Sequence, residues 1–309
     1  MYKANSLSKA GQTKNIYIGI GLAILATLIW SGNFIIARAL NGKIPPFSLS
    51  FYRWLIASLI VLPFAIKQFS SQWKLVKRSW PYFLCASLFG IALFNSLVYI
   101  AAHFTSAINL ALIGTTSSPI MAIILARIFL KEKIGWMKMA GMILCSLGVL
   151  FLLLKGNFQN LLSLHFSTGD LWSLLAAFSF AVYNTLVKKK PAGVSAVNFL
   201  FVVFSLGTLL LFPFYLWELN HYPAVVLSGE LIFSVLYVGI GASVICFFIW
   251  NIAISKLGAG RTALFGNLIP VFSSIEAAII LHEDFTWVHI ASMAIIFAGL
   301  LLANLRHKY

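Results

Sequence analysis

Long apolar runs alternate with short polar breaks from residue 17 to residue 305. Ten runs can be drawn, and each approaches the roughly 20 apolar residues that a helix needs to cross a bilayer. Because lipid offers the backbone no hydrogen-bonding partner, runs of this length predict helices. The predicted spans are 17–37, 48–66, 80–101, 107–129, 135–154, 170–188, 193–214, 230–253, 263–281 and 287–305.

Composition agrees with an all-α integral membrane protein. Of the 309 residues, 61% are hydrophobic and 9% are charged, whereas a soluble domain has about 25% charged residues. Because so few charges cannot cover a soluble surface, we expect the apolar excess to face lipid. Cys85, Cys145 and Cys246 lie inside apolar runs without the paired spacing of a disulfide or metal framework, and we predict no metal and no cofactor.

The net charge of +15 could indicate a nucleic-acid partner, but the basic residues sit in the breaks between apolar runs. With a cytoplasmic N-terminus, 17 Lys and Arg residues fall inside and four fall outside, namely Arg38, Lys43, Arg53 and Lys155. Such a bias follows the positive-inside rule. It predicts a multi-pass protein of a bacterial-type inner membrane, with both termini in the cytoplasm and no nucleic-acid partner.

An internal repeat relates the two halves of the chain. The matching landmarks lie 150 or 151 positions apart: Pro63-Phe64 and Pro213-Phe214, Pro119 and Pro270, Glu132 and Glu283, Trp136 and Trp287, and Gly148 and Gly299. Each unit contains five predicted spans, so the second unit enters the membrane the other way up. Inverted repeats of this kind are typical of secondary transporters.

Several segments resemble the EamA domain of the drug/metabolite transporter superfamily. They are LATLIWSGNFIIARAL, FYRWLIASLIVLPF and the stretch from AAHFTSAINLALIGTTSSPIMAI to GMILCSLGVLFLL. The second half resembles a further copy, which gives predicted domains 1–155 and 169–309. The resemblance implies ten helices in two inverted five-helix repeats around a central cavity. It also implies a carrier of metabolites, since amino-acid exporters belong to this superfamily. Phe180, where Trp is frequent, and Glu276 depart from the pattern.

Pro119 and Pro270 fall near the middle of the fourth and ninth runs. Proline removes a backbone hydrogen bond and kinks a helix, and interrupted helices at matching places of two halves indicate a transporter's binding site. The stretches 114–118 and 266–267 precede the prolines and could offer carbonyl and hydroxyl groups to a solute. Their small residues could equally serve close helix packing.

Polar and aromatic side chains at helical spacing suggest the walls of a cavity for an amphipathic solute. Trp30 and Asn33, and likewise Asn95 and Tyr99, share a helix face. Lipid-facing or interfacial placement is the alternative for each aromatic residue. The predicted solute-binding residues are Trp30, Asn33, Asn95, Tyr99, Tyr183, Trp250, Asn267 and Glu276.

Glu276 is an acid within the ninth run, and ionisable groups inside a membrane usually face a cavity or a charged partner. We expect it to bind a solute amine or a coupling proton, with Arg53 and Arg38 as candidate partners. A structural ion pair, or a carboxyl kept neutral by burial, is the alternative. Asn267 and Glu276 are nine residues apart, about 180° around a regular helix. They can face one cavity only if the chain bends at Pro270.

The sequence contains no nucleotide-binding or hydrolase motif. It therefore predicts a gradient-driven, alternating-access transporter of a small metabolite, with an amino-acid exporter as the first hypothesis and no enzymatic activity. The alternatives are a carrier of nucleosides, sugars or drug-like cations, a membrane scaffold and an intramembrane enzyme. His282-Glu283-Asp284 and His103 are interpreted as loop and interfacial residues. Gly141, Gly148 and Gly299 could support a homodimer or pack within one chain.

Overall fold

The computed structural model describes residues 9–40, 42–104, 107–132, 134–161, 167–280 and 285–304. Every regular element within these ranges is helical, and they contain no strand. The helices are α1 Lys9–Ala39, α2 Pro46–Arg78, α3 Trp80–Phe104, α4 Ala107–Phe129 and α5 Trp136–Leu153. A 3₁₀ turn at Phe158–Leu161 is followed by α6 Thr168–Lys188, α7 Ala196–His221, α8 Gly229–Leu257, α9 Ala259–Leu264, α10 Ile269–Ile280 and α11 Trp287–Asn304.

In the described part of the chain, eight helices are long and apolar enough to cross a membrane. They are α1, α2, α3, α5, α6, α7, α8 and α11. Helix α4 adds the shorter apolar stretch Ser117–Phe129. The predicted helical membrane protein is therefore confirmed, and eight of the ten predicted runs correspond to helices of spanning length.

The ninth predicted run is broken into two helices. Helix α9 ends at Leu264, a 3₁₀ turn occupies Phe265–Leu268, and α10 begins at Ile269. Pro270 stands in the first turn of α10, where its missing N–H would have no helical partner in any case. Pro119, by contrast, lies inside the continuous helix α4. The two prolines were predicted to act alike, and they do not.

Two stretches of π-helix interrupt α3 and α8 at matching places of the repeats. They are Leu88–Leu93 and Tyr237–Ile245. A π turn changes which side chains and carbonyl groups face a neighbouring helix, and such turns are frequent at functional sites. The hydrophobic pattern gives no indication of either one.

Helices α2 and α7 cap each other's N-termini, which makes them antiparallel neighbours. Near the end of α7, the buried Glu218 carboxylate accepts hydrogen bonds from the backbone N–H groups of Phe47 (2.9 Å) and Ser48 (2.6 Å). Near the end of α2, the Gln72 side-chain oxygen accepts from the backbone N–H of Ser195 at 2.9 Å. These acceptors satisfy N–H groups that a helix N-terminus leaves free.

Helices α5 and α11 run antiparallel in close contact. A methyl group added to Gly141 would come within 2.5 Å of the Gly299 carbonyl oxygen, and one added to Gly148 would come within 2.8 Å of Ile296. Only glycine at these positions allows the two backbones to approach so closely. The landmark glycines therefore pack within one chain, which leaves the predicted homodimer without that support.

Candidate functional site

A cavity of about 90 Å³ lies between the helices of the two halves. Four of the predicted residues line it, namely Trp30, Asn33, Asn95 and Trp250. Phe94 and Phe180 complete an aromatic wall, while Ser118 and Pro119 of α4 and Gly266 before α10 also face the space. The cavity therefore brings together α1, α2, α3, α4, α6, α8 and the broken segment 259–280.

The aromatic rings of the wall contact one another. The ring centroids of Trp30 and Trp250 are 4.9 Å apart, and Phe94 and Phe180 stack at 4.5 Å. Hydrogen bonds fix both indoles: Trp30 Nε1 donates to the Ala242 carbonyl, and Trp250 Nε1 donates to Asn184 Oδ1, each over 2.8 Å. Because the indole N–H groups are already satisfied, the tryptophans present mainly their apolar surfaces to the cavity.

Arg53 is the charged residue of the cavity lining and is 1% exposed. Its Nη1 donates to Asn33 Oδ1 (3.2 Å), Asn95 Oδ1 (2.9 Å) and the Tyr99 hydroxyl (3.1 Å). Its Nη2 donates to the Ala242 carbonyl over 3.0 Å. In the described part of the chain all its hydrogen-bond acceptors are neutral. No described acidic group pairs with the guanidinium beside the cavity.

Arg53 also fixes the orientation of its amide neighbours. A guanidinium only donates hydrogen bonds, so the side-chain oxygens of Asn33 and Asn95 must face it. The Asn95 amide nitrogen then points elsewhere, and it is buried without a hydrogen-bond partner among the described residues. An unsatisfied buried donor is rare in proteins. The described part of the cavity wall thus combines a positive charge with an N–H donor that has no acceptor there, which suits an anionic, oxygen-rich group.

Arg53, predicted to be one of the basic residues on the outer side, is buried among the helices. Helix α2 begins at Pro46, earlier than the predicted residue 48, so Arg53 falls in its second turn. There it reaches the carbonyl of Ala242 within the π stretch of α8. The repeat places Val203 at the position equivalent to Arg53, so the charge has no counterpart in the second half.

The other predicted residues lie around the cavity, outside its lining. The Tyr99 hydroxyl accepts a hydrogen bond from Arg53, which lines the cavity. The Tyr183 hydroxyl is turned to Asn251 Oδ1 at 3.0 Å. Asn267, in the 3₁₀ turn, donates from Nδ2 to the Leu264 carbonyl at 2.9 Å. The role of these residues in binding a solute stays a prediction.

Glu276 lies on the α1 side of α10, away from the cavity lining. Its Oε1 is 2.7 Å from Ser31 Oγ. Arg53 makes its described hydrogen bonds elsewhere, so the predicted pairing of Arg53 with Glu276 is wrong. The side chain of Arg38 and residues 282–284 lie outside the described part of the structure. His103, at the end of α3, is exposed, as an interfacial histidine would be.

Comparison with known proteins identifies relatives over nearly the whole chain. Residues 17–154 and 167–305 each match the EamA-like transporter family. An uncharacterized transporter of Archaeoglobus fulgidus is 29% identical over 267 residues, which cover 85% of this chain and 89% of the relative. The S-adenosylmethionine uptake transporter of Rickettsia conorii is 28% identical over 272 residues, which cover 87% and 86% of the two chains.

A solved crystal structure shares the fold. It has a TM-score of 0.75 at 19% sequence identity, over 94% of this chain and 96% of the other. At this identity the match supports the helical architecture alone.

Proposed function

The chain belongs to the EamA-like transporter family, and from that premise we propose that it is a gradient-driven, alternating-access carrier of a small metabolite whose carboxylate binds at Arg53. The proposed topology has ten spans in two inverted five-helix repeats, with α4 as the fourth crossing and α9–α10 as the ninth. Both termini lie on the cytoplasmic side of a bacterial-type inner membrane.

The observation that carries this proposal is a buried arginine whose described partners are all neutral, placed beside a cavity with an amide donor that no described residue accepts from. Burying a charge without a counter-charge is unfavourable, so a solute carboxylate would gain a strong charge-assisted interaction there. The aromatic wall would receive the apolar part of the same solute. Amino acids combine these two features, and amino-acid export is the activity that we propose first.

Alternating access is supported by the antiparallel pairing of elements from the two halves. Helices α2 and α7 exchange caps, and α5 and α11 pack through glycines. Both pairs join equivalent elements, as a two-fold axis in the membrane plane would require. Rocking about these pairs would open the cavity to one side of the membrane and then to the other.

The second candidate function is uptake of an amino acid that carries a nucleoside. It is favoured by the relative named as an S-adenosylmethionine uptake transporter. S-adenosylmethionine joins an amino-acid carboxylate, which Arg53 could bind, to an adenine ring that could stack on Trp30 or Trp250. The two candidates share the carboxylate site and differ in the aromatic part of the solute.

An intramembrane enzyme and a scaffold are less well supported. The described residues hold no group of three or more His, Cys, Asp or Glu side chains that could bind a metal ion. The relatives are named as transporters. A scaffold would not require a charged cavity between two matched halves.

Counterflow in proteoliposomes tests the proposal. Vesicles that contain the purified protein are preloaded with amino acids, nucleosides, sugars or organic cations, and exchange of a labelled solute of each class is measured. Saturable exchange of amino acids or of S-adenosylmethionine is expected. Exchange confined to sugars or cations would refute the carboxylate site, and the direction of ΔpH-driven flux would separate export from uptake.

A further inference from the structure

The Glu276 carboxyl of α10 contacts the Ser31 hydroxyl of α1. Ser31 Oγ donates to Glu276 Oε1 over 2.7 Å and also lies close to the Leu28 carbonyl oxygen. One hydroxyl can share its proton between two acceptors, as the Thr27 hydroxyl does between the Ala23 and Ile24 carbonyls.

The described polar partner of the carboxyl group is therefore a neutral hydroxyl. The ion pairs between described residues do not include Glu276. A carboxylate inside a membrane without a cationic partner is unfavourable, and binding a proton removes its charge.

The surroundings of the second carboxyl oxygen agree with a neutral group. Within the described residues Glu276 Oε2 is buried without a hydrogen-bond partner, which is less unfavourable for a neutral carboxyl oxygen than for a carboxylate. The titratable groups of α8 on this side are turned to α1. The Tyr237 hydroxyl donates to the Ile29 carbonyl over 2.8 Å, and Cys246 Sγ donates to the Ala26 carbonyl over 3.4 Å.

We propose that Glu276 is the residue that binds the coupling proton. This inference rests on the proposed carrier function. The proton binds to a carboxylate oxygen of Glu276 and leaves from it, so no other reactant is needed. Arg38 is the further charged residue on α1 toward this end, and its side chain lies outside the described part of the structure.

Helix α1 links the proton to the solute. Ser31 contacts Glu276, while Trp30 and Asn33, its neighbours on the same turns, line the cavity, and Asn33 accepts from Arg53. Ionisation of Glu276 would place an unpaired charge between α1 and α10, which favours movement of α1 away from α10 and toward water. Such a movement would displace Trp30 and Asn33 from the solute site, so proton release and solute binding are coupled through one helix.

Infrared spectroscopy of the reconstituted protein tests the location of the proton without any solute. At neutral pH exposed carboxyl groups are ionised, so the C=O stretch of protonated carboxyl groups is expected to lose intensity from the wild type to Glu276→Gln. Glu230→Gln is the matched control, because Glu230 is exposed and paired with Lys43 at 2.9 Å; this variant should keep the band. A band that persists unchanged in Glu276→Gln would overturn the proposal.

Transport then tests the coupling. Solute-driven proton flux and the ratio of exchange rates at two pH values should be retained in Glu230→Gln and lost in Glu276→Gln. Proton flux that survives in Glu276→Gln would contradict the proposal. If the wild type exchanges no solute of the panel, the carrier function fails, whereas the infrared band still decides whether Glu276 holds a proton.

Discussion

Asn95 turns its side-chain oxygen to Arg53, 2.9 Å from Nη1, and its amide nitrogen has no hydrogen-bond partner among the described residues. The arginine thus orients the amide beside the cavity. Recognition of a carboxylate by this pair would require no large rearrangement, because Tyr99 and Ala242 also hold the guanidinium in place.

Asn95→Asp is expected to change the preferred charge of the solute. The new carboxylate would pair with Arg53 and occupy the position proposed for the solute carboxylate. A charge-assisted hydrogen bond contributes about 1.5–3 kcal/mol, so apparent affinity for amino acids should fall at least about tenfold. In uptake assays, transport of the corresponding amines, which lack only the carboxylate, should be less affected. Asn251→Asp is the control, since Asn251 accepts from Tyr183 outside the cavity lining; an equal loss in both variants would contradict the assignment.

Trp30→Phe is expected to weaken solute binding modestly. The substitution removes the 2.8 Å hydrogen bond to the Ala242 carbonyl and keeps an aromatic ring. The loss of one such bond corresponds to about 0.5–1.5 kcal/mol, and a ring that is no longer fixed would order less well around the solute. The apparent Kd of the solute, measured by an assay that does not use tryptophan fluorescence, should rise a few-fold. The control is Trp217→Phe, at an exposed position of α7, which should leave this Kd unchanged.

Gly114→Ala and Gly266→Ala are expected to reduce the largest solute accepted. Both glycines line the cavity, and an added methyl group at either would meet no protein atom within 4 Å. The methyl group would therefore occupy solute space with little strain. Exchange of bulky amino acids should decrease relative to exchange of small ones. The control is Gly21→Ala in α1, an exposed position that is equally open. If all three variants lowered the exchange of bulky amino acids to the same extent, the two cavity glycines would not limit solute size.

Gly299→Ala is expected to destabilise the fold. Its methyl group would come within 2.8 Å of the Gly141 carbonyl oxygen and of the Cys145 backbone nitrogen. Because both atoms belong to the backbone of α5, the helices must separate, at a cost of about 1–3 kcal/mol. A lower Tm in detergent measures this, and Gly21→Ala should melt with the wild type. An unchanged Tm would mean that the α5–α11 contact tolerates a wider spacing.

Glu218→Gln is expected to loosen the junction of α2 and α7. The glutamate uses both carboxylate oxygens to accept from Phe47 N, Ser48 N and Ser48 Oγ, whereas a glutamine has only one oxygen that can accept. The substitution also removes the negative charge at the α2 N-terminus. We expect a loss of about 1–3 kcal/mol of stability, seen as a lower Tm. Glu230→Gln, which alters an exposed ion pair, should have little effect.

The helices and four of the cavity residues could be predicted from the sequence, because length, hydrophobicity and helical spacing act locally. Trp30 and Asn33 are one turn apart, so a helix is enough to place both on one face. Tyr99 and Trp250 are 151 positions apart, which is the shift of the repeat, but only Trp250 lines the cavity.

The charge centre could not be predicted, since it depends on long-range contacts. Arg53 is buried because its acceptors come from α1, α3 and the π stretch of α8, and nothing near residue 53 in the sequence indicates them. Asn267 and Glu276 were placed on a regular helix, but the 3₁₀ turn at Phe265–Leu268 changes the register, and neither lines the cavity.

The central claim, a carboxylate site at Arg53, is tested most directly by comparing the two members of a chemical pair. Counterflow by the wild-type protein should be measured for the best amino-acid substrate and for the amine that lacks only its carboxylate. We predict saturable exchange of the amino acid and at least about tenfold weaker exchange of the amine, in line with the loss of a charge-assisted contact. Equal exchange of both compounds would contradict the account.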